Sequence, residues 1–372
     1  MAQLGFGLIG TGFMGRTHAI ALQSVATVFA AIEAPRLVTV ADVTVDGAAK
    51  AGRDLRFEHS TVDWKELLDD PAIDVIDICA PNYLHYPMSL ATLEAGKHVY
   101  CEKPLALTVV EAAELAALAK KSGLVHAIGL NYTTNPLVQT ARQIVSSGEI
   151  GDPVSFTGRY FEDYMASREV PFTWRCDRSL AGSGALADLG SHLINMLHFL
   201  LGRPKRLCGD CRTVIATRRD ASGTERQVEN EDVSRAMIEL DSGLPAMIEI
   251  SRVATGYKCG LQFEIFGTRG SIAFDQERMN ELRVYDSGQR PARAGFKTIL
   301  SGPGHPDYGN FCPAPGHGLG INDLKVIEVR NLVRAIQHGE PFQPDFEEGL
   351  RVQQVMEAIE RSSIERAWVE VN

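Results

Sequence analysis

Three groups of residues in this 372-residue chain have the types and spacing to do chemistry. The first is Gly10-Thr11-Gly12-Phe13-Met14-Gly15, a G-x-G-x-x-G hexapeptide between an apolar run and a helix-like stretch. Glycines there allow a tight turn and close backbone approach. The N–H groups and dipole of the helix that follows attract a pyrophosphate. With 34 glycines in the chain the hexapeptide alone is weak, so its place at the first strand-to-helix junction carries the signal. Asp42 closes the next β-rich run, Val38-Thr39-Val40-Ala41-Asp42, where a carboxylate can take both hydroxyls of a ribose. It lies 32 residues after Gly10, beyond the usual separation of about 20. A long helix end or loop over residues 26–35 accounts for the excess. The alternative role for Asp42 is to cap the next helix. Val43 and Thr44 bring no cation to meet a 2′-phosphate, so NAD is expected over NADP.

The second group follows two later β-rich runs. Ala80-Pro81-Asn82, with His85 three residues on, comes after the run at 74–79, and Glu102-Lys103-Pro104 after the run at 98–101. Ligands of open parallel sheets bind at the carboxyl ends of the strands, so Lys103 is expected to face a bound nucleotide. The third group is Asp188 and His192, four apart and so on one helical face, after Ala181-Gly182-Ser183-Gly184. These types suit hydride removal from an alcohol. The nucleotide accepts the hydride, a base takes the hydroxyl proton, and a cation steadies the developing alkoxide. His192 suits the base. Lys103 suits the cation or, deprotonated in a desolvated site beside a positive nicotinamide, the base. Residue types leave that choice open. Each has a blander reading: a surface lysine, an acid complementing a helix dipole, a satisfied core histidine. A zinc site on Asp188 and His192 lacks a third ligand. Cys208 and Cys211 form a C-x-x-C without a second pair, so no metal is expected.

The elements that must position these groups show as texture. Up to residue 130, β-rich runs at 4–9, 37–41, 74–79, 98–101 and 125–130 alternate with helix-like stretches at 13–24, 63–68, 83–95 and 108–121. That alternation predicts βαβ units and a parallel sheet. Beyond it, helices are expected at 135–147 and 185–201. A strand-rich stretch covers 204–285, then a Gly/Pro-rich stretch without periodicity covers 286–320. Two more helices are expected at 323–338 and 346–365. A strand block flanked by helices predicts an α+β domain on a largely antiparallel sheet.

Residues 10–15 with His18, Ala80-Pro81-Asn82 with His85, Glu102-Lys103-Pro104 and residues 181–192 together resemble the Gfo/Idh/MocA oxidoreductases, in the same order and over the whole chain. The most specific parts are Glu102-Lys103-Pro104 and Gly184-Ala185-Leu186-Ala187-Asp188-Leu189-Gly190-Ser191-His192. The resemblance implies an α/β chain: an N-terminal NAD-binding Rossmann domain, a doubly wound parallel sheet, over residues 1–130. A C-terminal α+β domain over 131–372 would follow. Its large, open, mainly antiparallel sheet would carry substrate and make homodimer or homotetramer contacts. The resemblance also implies that Lys103, Asp188 and His192 are the catalytic set and that the Lys103–Pro104 peptide is cis. NAD would be held by Gly10, Thr11, Gly12, Phe13, Met14, Gly15 and Asp42. Ala80, Pro81, Asn82, His85, Glu102 and Lys103 would flank it, with Asn131, Trp174 and Arg175 toward the nicotinamide. Substrate would meet Lys103, Tyr132, Arg175, Asp188 and His192. From an irregular loop over 301–321 it would also meet His305 and Tyr308. That loop, which also holds Asp307, Asn310 and His317, resembles the late loop of relatives acting on inositols, levoglucosan and related sugars; the alternative is a solvated surface loop. The expected activity is NAD-dependent oxidation of a hydroxyl of a sugar, anhydrosugar or cyclitol. An NAD-assisted glycosidase and a non-catalytic NAD-binding sugar sensor are the alternatives. A sensor has no need of Lys103, Asp188 and His192.

Composition narrows the partners. The chain has 37 basic and 47 acidic residues, a net charge of −10, which disfavours nucleic acid and anionic membrane surfaces. Apolar residues at 45% with 23% charged exclude wholesale disorder. No apolar run is long enough to span a bilayer. The N-terminal apolar run has no basic flank and is broken by Gly5, Gly7, Gly10, Gly12 and Gly15, so no secretory leader is expected. Seven cysteines, an odd number, suit reduced thiols and a cytoplasmic protein.

Overall fold

The computed structural model describes residues 3–372. They form two compact units: the chain through Asn131 with Gly320–Gln353, and Tyr132–Leu319 with Gln354–Asn372. The first unit begins with β1 (Gly5–Ile9), α1 (Phe13–Val28), β2 (Arg36–Ala41), α2 (Val45–Leu55), β3 (His59–Thr61) and α3 (Glu66–Asp69). It continues with β4 (Val75–Ile78), α4 (His85–Glu94), β5 (His98–Cys101), α5 (Val109–Ser122) and β6 (His126–Ile128). The six strands form one parallel sheet in the order β3-β2-β1-β4-β5-β6. Strand order reverses between β1 and β4, where open α/β sheets bind ligands. Both strands are buried along their whole length, as the near-continuous apolar runs require. The Rossmann architecture expected from the alternation is present. Two elements were not anticipated. The buried stripe of α2, Ala48, Ala51, Gly52 and Leu55, is built almost wholly of small residues. β3 is a polar edge strand of three residues.

The second unit holds α6 (Pro136–Ser146), β7 (Pro153–Phe161), α7 (Arg178–Ala181), a π turn at Leu186–Gly190 and α8 (Ser191–Leu201). Next come β8 (Pro204–Arg212), β9 (Thr217–Arg219), β10 (Glu225–Gln227), β11 (Val233–Leu240), β12 (Pro245–Ser251) and β13 (Gly260–Gly267). They are followed by β14 (Gly270–Asp275), β15 (Glu281–Asp286), β16 (Lys297–Leu300) and α9 (Tyr308–Phe311). The chain then forms α10 (Ile321–His338), α11 (Phe346–Glu365) and β17 (Val369–Glu370). Nine strands make one sheet, β16-β15-β14-β13-β7-β12-β11-β8-β17. Every neighbouring pair is antiparallel except β12 with β7. Alternation is clean: Ser234, Ala236, Ile238 and Leu240 of β11 are buried, while Arg235 and Met237 face out. β16 lies in the stretch expected to be irregular, and the helix expected from 185 opens as a π turn.

The domain boundary differs from the one expected. The chain leaves the first unit after Asn131, close to the expected 130, but Gly320–Gln353 returns to it. There α10 packs on α1, with the Arg330 guanidinium 4.6 Å above the Phe29 ring. Hydrophobic periodicity reports that a helix has a buried face but not which sheet it covers, so a continuous second domain over 131–372 was the default reading.

Candidate active site

The phosphate loop is shaped by close approaches. Gly10 has a φ of +91°, and a Cβ there would lie 2.6 Å from the Cys79 carbonyl oxygen. A Cβ on Gly15 would fall 2.0 Å from the Gly10 oxygen. Gly12, at the N-cap of α1, faces open space, and neither a side-chain cap nor a first-turn acid occupies the helix start. That leaves a positive backbone end able to take an anion. Thr11 donates its hydroxyl to Asp42 Oδ2, and Val43 N–H lies 2.6 Å from Oδ1. The capping role considered for Asp42 belongs to Thr44, whose hydroxyl accepts from Gly47 N–H at 3.1 Å. Loop, helix end and carboxylate thus fit an adenine dinucleotide.

At the ends of β4 and β5 the candidates divide. Lys103 is half-buried, and its peptide to Pro104 is cis. Ala80, Pro81 and Asn82 are half-buried at the start of α4. His85 and Glu102, expected to flank the nucleotide, turn their polar atoms to protein partners. His85 is buried, with Nδ1 2.6 Å from Pro104 O and Nε2 2.8 Å from Ala80 O, so it ties the two loops together. Burial lowers its pKa against the pull of those carbonyls. Glu102 is also buried. Its Oε1 meets His18 Nε2 and Lys325 Nζ, each at 2.9 Å, and its Oε2 accepts from Lys103 N–H at 3.2 Å. Burial opposes ionisation of Glu102, but Lys325 and His18 outweigh it and hold the carboxyl well below its usual range. Asn131 is buried at the end of this unit.

In the second unit, Asp188 sits in the π turn and His192 in the first turn of α8. Tyr164 donates to Asp188 Oδ2 at 2.5 Å. Burial, then the Asp188 charge, pushes the Tyr164 phenol well up, so it stays a donor. The His192 ring stacks on Tyr132 at 4.5 Å between centroids, with Tyr160 edge-on at 6.2 Å. The Tyr132 and Tyr160 hydroxyls lie 3.0 Å apart, and each is 3.5 Å from Cys259 Sγ. A buried tripeptide supports the helix start. Glu231 accepts from Gly184 N–H at 2.9 Å and Leu186 N–H at 2.8 Å. Arg252 bonds Asp232 at 2.9 Å and Asn230 at 2.8 Å. Asn230 and Arg252 also hold the Arg175 carbonyl, at 2.9 and 3.1 Å. Trp174 is half-buried, with the exposed Arg175 guanidinium 4.5 Å above its ring.

The late loop changes the assignment of Tyr308. Its side chain is fully buried, and its hydroxyl donates to the His317 carbonyl at 2.5 Å and accepts from His317 N–H at 3.2 Å, with the Ala314 carbonyl 3.1 Å away. Tyr308 staples the loop rather than offering its hydroxyl to a sugar. His305 is half-buried, with Nδ1 accepting from Gly302 N–H at 3.0 Å. His317 and Asn310 are exposed.

Residues 4–130 match the oxidoreductase family with an NAD-binding Rossmann fold, and residues 138–273 match the GFO/IDH/MocA C-terminal domain. The chain belongs to the GFO/IDH/MocA oxidoreductase family. It is similar to a levoglucosan dehydrogenase of Pseudarthrobacter phenanthrenivorans, 37% identical over 385 residues, which span 100% of this chain and 99% of the relative. A solved levoglucosan dehydrogenase in complex with NADH and levoglucosan superposes with a TM-score of 0.97 at 37% identity over 100% of both chains. An NAD-binding oxidoreductase from Klebsiella pneumoniae gives 0.95 at 40% identity, again over 100% of both. Within this family fold, several residues adjoining the candidates carried no sequence signal. Tyr160 and Tyr164 lie in and just after a strand that was not anticipated. Residues 230–232 fall in the strand-rich stretch and Lys325 in an expected helix, neither within a motif. A polar residue in an apolar stripe, such as Lys325 in Leu324-Lys325-Val326-Ile327-Glu328, is the one hint available.

Proposed function

We propose that the protein is an NAD-dependent dehydrogenase that oxidises a hydroxyl of a sugar, anhydrosugar or cyclitol. The observation that carries this reading is full-length likeness to a levoglucosan dehydrogenase, with a phosphate loop and Asp42 arranged to receive a dinucleotide. Bound NAD supplies the hydride acceptor. Gly10, Thr11, Gly12, Phe13, Met14 and Gly15 hold its pyrophosphate at the start of α1, and Asp42 takes the adenosine ribose. Ala80, Pro81 and Asn82 line its path. Lys103 serves the reacting oxygen as cation, Asp188 and His192 serve the proton, and Lys103 and His192 are the two groups able to act as base. Tyr132, Arg175 and His305 lie toward the substrate.

The test is NADH accumulation by the purified protein over levoglucosan, aldoses, inositols and sugar acids. Steady NADH formation with at least one of them is expected. Sugar conversion without net NADH would instead identify an NAD-assisted glycosidase. NAD binding without either change would identify a sensor. The open sheet face supports a homodimer or homotetramer: Met237 and Met247 lie directly opposite each other on β11 and β12, each about half exposed. Light scattering of a Met237→Glu/Met247→Glu variant checks this, with a loss of mass expected. Seven free cysteines, and no helix among the described residues long and apolar enough to cross a membrane, support a cytoplasmic enzyme.

A further inference from the structure

Next to Lys103 lies a cluster of titratable side chains with no assigned part in the reaction. His18, Asp77, Tyr100, Glu102, Lys325 and Glu328 are all almost wholly buried in the nucleotide-binding unit. Lys325 Nζ lies 2.9 Å from Glu102 Oε1, 2.7 Å from Glu328 Oε2 and 3.0 Å from the Tyr100 hydroxyl. Tyr100 in turn donates to Glu328. His18 bridges Asp77 at 2.8 Å and Glu102 at 2.9 Å, and its ring stacks on Tyr100 at 4.6 Å. Glu102 is the junction, and its second oxygen receives the Lys103 N–H. The space around it is closed: a Cβ on Gly129 would lie 2.5 Å from Glu102 Oε1. Lys325 and Glu328 come from α10, outside both stretches matched by the family.

Stability alone does not account for this cluster. Apolar residues of similar volume often replace a buried ion pair with no loss of stability, because desolvation offsets the attraction. Charges do one thing that methyl groups cannot. A carboxylate whose oxygens are divided among an ammonium, an imidazole and a peptide N–H is fixed in rotation and in charge. It therefore fixes the peptide that leads into Lys103. We propose that Lys325 and Glu328 are positioning residues for Lys103, acting through Glu102 to set the backbone and the local field from which the Lys103 ammonium meets the reacting oxygen. This rests on the reading of Lys103 as the group that serves that oxygen.

The test replaces the pair together, because removing Lys325 alone strands both Glu102 and Glu328, whereas with both gone Glu102 keeps His18 as its partner. Lys325→Met/Glu328→Leu is compared with the wild type in first-turnover NADH formation, with levoglucosan or the most active sugar of the panel as substrate. Tm, NAD affinity and sugar KM are measured alongside. The expected result is a native Tm, unchanged NAD affinity and KM, and a rate lower by about tenfold to a hundredfold, the scale of a small misplacement. A native Tm with the wild-type rate overturns the proposal. Should the double variant fail to fold, Tyr100→Phe carries the test, since it removes only the oxygen that Lys325 and Glu328 share. A fall in kcat at constant KM and NAD affinity supports the proposal, and unchanged kcat overturns it. Lys103→Ala separates the two failures. If it turns over normally, the reading of Lys103 fails and the positioning role falls with it. If it is crippled while the double variant is not, the positioning role alone fails.

Discussion

The two parts of the proposed catalytic set are held by different means. Lys103 follows a carboxylate clamped by charged side chains from α1 and α10. Asp188 and His192 are met directly by rings: Tyr164 donates to one and Tyr132 stacks on the other, while the Glu231 carboxylate acts one step back, on the N–H groups at the start of the turn. A group held through charge responds to pH and to loss of a distant partner. A group held through packing responds to shape. The contrast can be broken or sharpened by substitution.

The largest effect is expected at the charge-held end. Lys103→Ala should lower kcat by about 10²–10⁴, the range for one acid–base group. NAD affinity by calorimetry should be unchanged, because the phosphate loop and Asp42 lie elsewhere; a parallel loss of binding would make Lys103 a cofactor residue. At the packing-held end, Tyr164→Phe should lower kcat/KM by about tenfold, the equivalent of one hydrogen bond to a charged acceptor. Steady-state rates that match wild type would remove Tyr164 from the site. Asp42 is expected to set the cofactor. NAD should exceed NADP by at least about tenfold in kcat/KM, roughly 1.4 kcal/mol, through repulsion of the 2′-phosphate. Equal use of both would show that the Thr11–Asp42 contact does not read the ribose.

The smaller effects are on stability. Tyr308→Phe should lower unfolding free energy by about 1–2 kcal/mol through two lost hydrogen bonds, with sugar KM unaltered. A raised KM at constant Tm would return Tyr308 to the substrate. The smallest effect is a pH slope. Burial opposes a charged His18, but Asp77 and Glu102 outweigh burial and the opposing Lys325, so the net pKa is raised above 6.5. Its charged form therefore contributes stability that is full below about pH 6.5 and is lost as pH rises through the folded-state value. Tm should decline as pH rises above about 6.5, and His18→Gln should flatten that decline. A variant with the same slope would show that another group titrates.

What the sequence disclosed follows from the same contrast. The phosphate loop, Asp42, Lys103 and the stretch before His192 were legible because each is a local pattern at a strand end or helix start. The parallel sheet was legible because its buried strands are continuous apolar runs. α2 was not, because its buried stripe is alanine and glycine with one leucine, a weak apolar signal. Asp42 had two readings until Thr44 proved to be the cap. His85, Glu102 and Tyr308 have the residue types of a binding site, yet their polar atoms face inward. Composition cannot tell a donor aimed at a ligand from one aimed at a carbonyl. Lys325 and Asn230 act on partners that only the fold brings near.

The return of Gly320–Gln353 to the first unit also bears on synthesis. Glu102 emerges from the ribosome 223 residues before Lys325. At about 5–20 residues per second, the carboxylate waits roughly 11–45 seconds for its ammonium. Until then the nascent Rossmann sheet lacks the helix that covers α1, and the side of α1 facing α10 stays open to water. The unit that comes first in the chain is therefore completed only after most of the second has been made. A chain truncated after residue 319 would keep a nucleotide-binding unit whose buried Glu102 lacks its ammonium and whose first helix lacks its cover, a natural target for chaperones and proteases.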